Sequence, residues 1–261
     1  RAKNGDLLPH FITICNIASQ DPAQVIAGNE RVILPRLSDA AFFWETDRKS
    51  PLAARQEQLK TIVFQNKLGT VYDKSQRVAA LAAIIAQQMG SEAQLAERAA
   101  LLAKCDLVTE MVGEFPELQG IMGRYYAQLD GEPADVAEAL DEQYRPRFAG
   151  DELPQTATGI AVSLAEKLDT IVGLFGIGQP PSGVKDPFAL RRAALGVLRI
   201  IIERQLSLDL FELISEAVNN FVDILTEDDV TTQVMQYFYD RLRGYVIDQG
   251  AKADEYESVL A

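Results

Sequence analysis

The chain has 261 residues, 48% of them hydrophobic, with a formal net charge of −13 and a pI near 4.6. That apolar content suffices to bury a substantial core, and the acidity excludes a freestanding nucleic-acid module of the kind that carries a basic excess. Apolar runs such as Ile200 to Ile202 fall far short of the roughly 20 residues that cross a bilayer, no basic-then-apolar leader opens the chain, and Cys15 and Cys105 have neither disulfide nor zinc spacing; a soluble, cytoplasmic protein with two free, partly buried thiols is expected.

The first segment, Asp6 to Ile17, reads as a β-rich stretch without a sheet partner nearby. An isolated strand is not stable alone, so residues 1–28 are expected to be the end of an upstream β-rich domain. From about Asn29 the pattern turns helical and stays so. Arg31 and Arg36 precede the aromatic run Phe42, Phe43, Trp44, which is expected to be core rather than a base-stacking surface. Apolar stripes run through Val78 to Met89 and Ala157 to Phe175, and a third holds Leu190, Ala194, Val197, Leu198, Ile201 and Ile202 on one face.

Capping chemistry suggests three helix starts: Ser91 with Gln94, Asp186 followed by Pro187, and Thr226 with Asp229. Breaks fall at Gly113 to Pro116, Gly131 to Pro133, Arg145 to Pro154 and Gly176 to Gly183. The last helices are predicted over Asp209 to Phe221 and Glu227 to Asp248, after a soft boundary near Gln205. Tyr125, Tyr126, Tyr237, Tyr239 and Tyr245 read as packing residues. With no fixed-period repeat, the fold class predicted is all-α and compact rather than a solenoid.

Three runs carry a family resemblance. They are Lys104 to Ala127, KCDLVTEMVGEFPELQGIMGRYYA; Ser163 to Gly173, SLAEKLDTIVG, continuing through Asp186 to Arg192, DPFALRR; and Gly28 to Ala40, continuing into Phe64 to Gly69, FQNKLG. Taken along the chain they fall in the expected order and together resemble the β subunit of bacterial glycyl-tRNA synthetase across most of residues 1–205. The resemblance implies an HD-like helical domain over 29–205 and a helical linker or the start of a further domain over 206–261. It also implies a role in binding glycine tRNA beside an α subunit that holds the ATP- and Mg-dependent aminoacylation site, with no cofactor held by this segment.

True HD phosphohydrolases use a His, a His-Asp pair and a later Asp to hold metal. This chain has one histidine, His10, and no His-Asp dipeptide, so no catalytic or metal residues are assigned. Asp106 and Asp169 read as capping or salt-bridging side chains on a helical surface. Without histidine in the helical region there is no Ser-His-Asp or Cys-His pair. The loop from Gly176 to Gly183 fits no phosphate-cradling pattern, and Asp228 and Asp229 read as first-turn residues that complement a helix dipole.

The candidate RNA-binding residues are Lys185, Arg191, Arg192 and Arg199 around one helix, Arg145 and Arg147 in a loop, and Arg36 nearer the start. Arg192 and Arg199 are seven residues apart, hence on one face and roughly 10 Å apart along the axis. Planar guanidiniums suit bidentate phosphate contacts. The competing expectation is that the basic residues around the helix pair with Glu203, Asp186 or neighbouring helices, and that Arg145 and Arg147 are ordinary solvated loop residues.

Overall fold

The computed structural model describes residues 8–260. The chain divides into two compact units at Glu45/Thr46. In the first, residues 8–17 form no strand, and positions 6 and 7 of the expected β stretch lie outside the described residues. Helix α1 runs from Pro22 to Asp47, its start capped by Asp21, whose Oδ1 accepts from the N–H of Ala23 and Gln24. Phe42 is exposed, while Phe43 and Trp44 are half-buried, so the aromatic run is not core within this unit. Cys15 is exposed as well, and only Cys105 is a buried thiol.

The second unit is built of helices α2 (Val71–Gln88), α3 (Ala93–Leu102), α4 (Glu110–Glu114), α5 (Ile121–Leu129), α6 (Ala134–Glu142), α7 (Ala157–Gly176), α8 (Leu190–Glu203), α9 (Leu210–Asn219), α10 (Val230–Asp248) and α11 (Ala253–Leu260). Short 3-10 turns and one hairpin, β1 (Val63–Gln65) with β2 (Gly69–Thr70), complete the described residues. The mainly helical fold expected from the apolar periodicity is therefore observed. No described helix is long and apolar enough to cross a membrane.

Helix α7 is the axis of this unit. Its sequence is apolar on nearly every face, and almost all of its side chains are buried, the pattern of a helix surrounded by others. It packs against α2, α3, α6, α8, α9 and α10. Gly173 lets the chain come close, since a Cβ there would lie 2.9 Å from the Phe221 ring and 3.0 Å from Leu68. Helices α9 and α10 thus share the core with α7, and α1 runs without a break through residue 29.

Local capping differs from expectation at two of three places. Ser91 does not cap α3; its hydroxyl and N–H both donate to the Ala86 carbonyl at the end of α2, because the link between these helices is too short to leave it free. Thr226 likewise turns back, donating to the Gly176 carbonyl at the end of α7. Asp186 does cap α8, accepting from the N–H of Leu190 and Arg191, but Pro187 stands before the helix rather than in its first turn. The most complete cap among the described residues is one not anticipated from the sequence, although its Thr-x-x-Asp spacing carries the signal: Thr70 and Asp73 bond each other reciprocally at the start of α2.

Candidate nucleic-acid interface

Helix α8 buries Leu190, Ala194, Val197 and Leu198 on one face, as its spacing predicts, though Ile202 at the far end is exposed. That burial turns its arginines outward, and their partners decide what remains for a ligand. Arg199 is spent internally: its Nε donates to Glu203 at 2.7 Å, its Nη2 donates to the Asp151 carbonyl, and only 14% of its side chain is exposed. The hydrogen bond between them raises the Arg199 pKa and lowers that of Glu203.

Arg145 and Arg147 converge on one carboxylate, each 2.6 Å from Asp141, and Arg145 also approaches Glu152. Arg191 donates to the Gly183 carbonyl and stands 3.9 Å from Asp186. The expected pairing thus holds for Arg199 and weakly for Arg191, while Arg145 and Arg147 are ion-paired rather than simply solvated. Arg192 differs: its described contact is a bond to the Arg147 carbonyl, and no carboxylate pairs with it among the described residues. Lys185 sits on an exposed turn whose backbone bonds Ser182, and no described carboxylate pairs with its ammonium. Arg36 lies exposed on α1, in the other unit.

Sequence reasoning missed the partners of Arg192 from α10. Arg191 and Arg192 form one wall of a groove of ≈ 590 Å³, Arg241 and Arg243 of α10 form the other, and Leu195 and Ala149 contribute apolar lining. Asp240 and Asp248 also line it, leaving the arginines in excess by two. Arg243 pairs with Glu257, while the Arg241 guanidinium lies over the Tyr237 ring at 5.5 Å, its buried Nε unbonded. The alternation of arginines at 241 and 243 was the only signal, and nothing local ties it to α8 some 50 residues earlier.

On its other side Arg192 borders a cavity of ≈ 500 Å³ that includes Gln119, Tyr144, Arg147, Glu166, Lys167 and Phe188. Behind its wall lies a chain of buried charges. Lys74 of α2 meets Asp169 at 3.0 Å and Glu166 at 3.5 Å, Arg77 meets Asp169 at 2.8 Å, and Lys104 meets Glu166 at 3.4 Å. Burial opposes charge on both members of the last pair, yet Glu166 holds the Lys104 ammonium above its ordinary range, and Lys104, Lys74 and Lys167 hold Glu166 below its own. Burial pushes Lys167 down to about 7. Four oxygens, the carbonyls of Gln143, Arg145 and Ser163 and the Ser163 hydroxyl, surround its Nζ and oppose that loss.

This wall does not assemble an acid–base or nucleophilic site. Asp106 is fully buried, and its Oδ2 accepts from the N–H of Gly120 and Gly123 at the start of α5; burial raises it to about 6. Asp169 is spent on Lys74 and Arg77. Both carboxylates have capping and pairing roles, but in the interior rather than on a helix surface. Ser163 and Lys167 form a close pair, yet Ser163 is wholly buried and donates to the Arg145 carbonyl, which leaves no path for a substrate to its hydroxyl. Burial pushes the Cys105 thiol up to about 12, the range of an inert thiol. Among the described residues no three His, Cys, Asp or Glu side chains are grouped to hold a metal.

Residues 1–261 match the family profile described as glycyl-tRNA synthetase beta subunit. The glycine–tRNA ligase beta subunit of Marinobacter nauticus is 62% identical over 256 residues, which cover 98% of this chain and 37% of that protein. Its counterpart in Hahella chejuensis is 60% identical over 257 residues (98% and 37%), and that of Pseudomonas putida strain W619 is 58% identical over 257 residues (98% and 38%). The chain thus spans well under half the length of the curated relatives it matches.

Proposed function

The chain belongs to the glycyl-tRNA synthetase beta subunit family, and on that premise we propose that it is a non-catalytic, tRNA-binding and architectural segment of a glycine–tRNA ligase. In this reading the aminoacylation chemistry, with its ATP and Mg, belongs to an α subunit, and this chain helps hold glycine tRNA in place in the cytoplasm. Residues 29–205 form its HD-like domain, residues 1–28 the end of an upstream domain, and residues 206–261 a following helical segment. Helix α1 crosses the first of these divisions, and α9 and α10 pack on α7 across the second.

The observation that supports the reading is the α8–α10 groove. On a chain of net charge −13 it gathers four arginines, and Arg192 has no carboxylate partner among the described residues. Guanidiniums left unpaired in a groove are positioned for phosphate, and such contacts give affinity without sequence preference. The acidity of the remainder weakens long-range attraction, so binding depends on this local patch.

The test is fluorescence anisotropy of labelled glycine tRNA titrated with the 261-residue chain at low and moderate salt. The variant pair Arg192→Ala/Arg241→Ala should weaken binding and flatten the log–log salt dependence by about one for each phosphate that is no longer neutralised. Arg145→Ala, whose cation is already neutralised, should change it little. Affinity and salt slope unchanged in the double variant would refute the placement.

A second reading, a structural spacer or α-subunit docking module without RNA contact, draws on α1. Its residues Ile26, Val32, Leu34, Leu37 and Phe42 are all exposed, more apolar surface than one helix ordinarily presents to water. It predicts that charged substitutions at Val32 and Leu37 abolish co-purification with the α subunit and that the chain shows no salt-sensitive binding to glycine tRNA.

A further inference from the structure

The cavity on the inner side of Arg192 has a lining that the phosphate-binding reading does not use. Its volume of ≈ 500 Å³ falls within the ~300–1,000 Å³ usual for small-ligand sites. Phe188, half-buried, presents a ring held by an edge contact with Phe64 at 6.1 Å. The Gln119 side-chain amide, exposed at the mouth, has no partner among the described residues and offers both a donor and an acceptor. Glu117 beside it offers an acceptor alone, and Arg192, which has no carboxylate partner among the described residues, places a cation at the rim.

A flat apolar ring, an amide with free donor and acceptor, a carboxylate and a guanidinium without a carboxylate partner form a set that matches one kind of ligand. Unpaired bases are recognised by stacking on aromatic rings and by hydrogen bonds to their edges, and their phosphates by arginine forks. A bare phosphate fits less well, because Glu117 and Glu166 line the same space and repel it unless the anion stays at the rim. We propose that this cavity accepts one unpaired nucleotide, with the base against Phe188 and Gln119 and the phosphate at Arg192. The nucleotide comes either from the free pool or from a strand lying along the α8–α10 groove, since Arg192 borders both concavities; the second source rests on the tRNA-binding reading.

The experiment titrates the 261-residue chain by calorimetry with AMP, CMP, inorganic phosphate and an unstructured RNA trinucleotide. It uses wild type, Ala193→Phe, which fills the cavity from α8, and Gln119→Ala, an exposed site that folding does not need. Thermal melts confirm that both variants fold. Saturable mononucleotide binding, weakened about tenfold or more in both variants and tighter than that of phosphate, is the expected result.

A trinucleotide that binds more tightly than AMP or CMP with the same variant sensitivity assigns the ligand to a strand; tighter mononucleotide binding assigns it to the free pool. Absence of mononucleotide binding at millimolar concentration, equal affinity for phosphate, or affinity unmoved by both variants overturns the proposal. Anisotropy with glycine tRNA, run in parallel, separates the two readings. Full tRNA affinity beside failed mononucleotide binding rejects the cavity and leaves the groove standing. Mononucleotide binding without tRNA binding supports the cavity and rejects the groove.

Discussion

Lys74 and Asp169 face each other at 3.0 Å between α2 and α7, and both side chains are almost wholly buried. Arg77 shares the same carboxylate and Thr170 Oγ1 accepts from the Lys74 ammonium at 2.7 Å, so one acid anchors two cations. Removing one member of a buried ionic group leaves the others unpaired, at a cost of about 3–5 kcal/mol. Asp169→Ala should therefore lower Tm by on the order of 10 °C. Lys74→Met should cost clearly less, because Arg77 still satisfies Asp169. Equal losses in thermal melts of the two variants would contradict this account.

Asp47, the last residue of α1, is an acceptor hub within the second unit. Its carboxylate receives the N–H of Glu110 and Met111 at the start of α4 and the hydroxyl of Tyr126 from α5. Burial and this hydrogen bond to Asp47 both raise the Tyr126 phenol. Asp47→Ala removes the shared acceptor of these three donors and should cost about 2–4 kcal/mol, whereas Tyr126→Phe should cost about 1 kcal/mol. Urea unfolding of the two variants measures the difference.

Asp106 gives a pH signature. Burial raises its pKa to about 6, above the ~3.9 of an unfolded aspartate. A group raised on folding contributes stability that is fully present below the unfolded value and is lost as pH climbs through about 6. Asp106→Asn does not ionise and keeps an oxygen to accept from Gly120 and Gly123. The variant's Tm relative to wild type should accordingly rise between pH 4 and pH 7, by roughly 2–4 °C for each kcal/mol. A difference constant across that range would show that Asp106 stays ionised.

Gly120 and Gly131 share a left-handed backbone, at φ +81° and +79°. An added Cβ at Gly120 would come within 2.8 Å of the Tyr144 ring and 2.9 Å of the Leu140 carbonyl, whereas at Gly131 it would meet nothing within 4 Å. Gly131→Ala should cost about 1 kcal/mol of backbone strain. Gly120→Ala adds the clash and disturbs the Asp106 anchor, so it should cost about 2–4 kcal/mol. Chemical denaturation that ranks them equally would deny the close approach to Tyr144.

The helices were legible because their signals are local. Leu190, Ala194 and Val197 recur at helical spacing, and all three are buried. The hairpin at Val63–Thr70 was not legible, because five strand residues leave too short an alternation to stand out. Ser91 and Thr226 resembled caps in sequence, yet each found a nearer acceptor at the end of another helix. Of the basic residues in the groove, Arg191 and Arg192 could be named, but not Arg241 and Arg243, whose place opposite them depends on how α10 packs against α8.

By itself the sequence determined the helical class, the family resemblance and the want of a His-Asp donor set, since each depends on residue type and spacing alone. Tertiary structure decided which charges remain available. Arg147 is neutralised by Asp141 and Arg199 by Glu203, while Arg192 meets only a carbonyl. Asp106 and Asp169, which read as surface side chains, proved to be interior anchors. Whether a charge is spent or free depends on distance and desolvation in three dimensions, and neither quantity is carried by spacing along the chain.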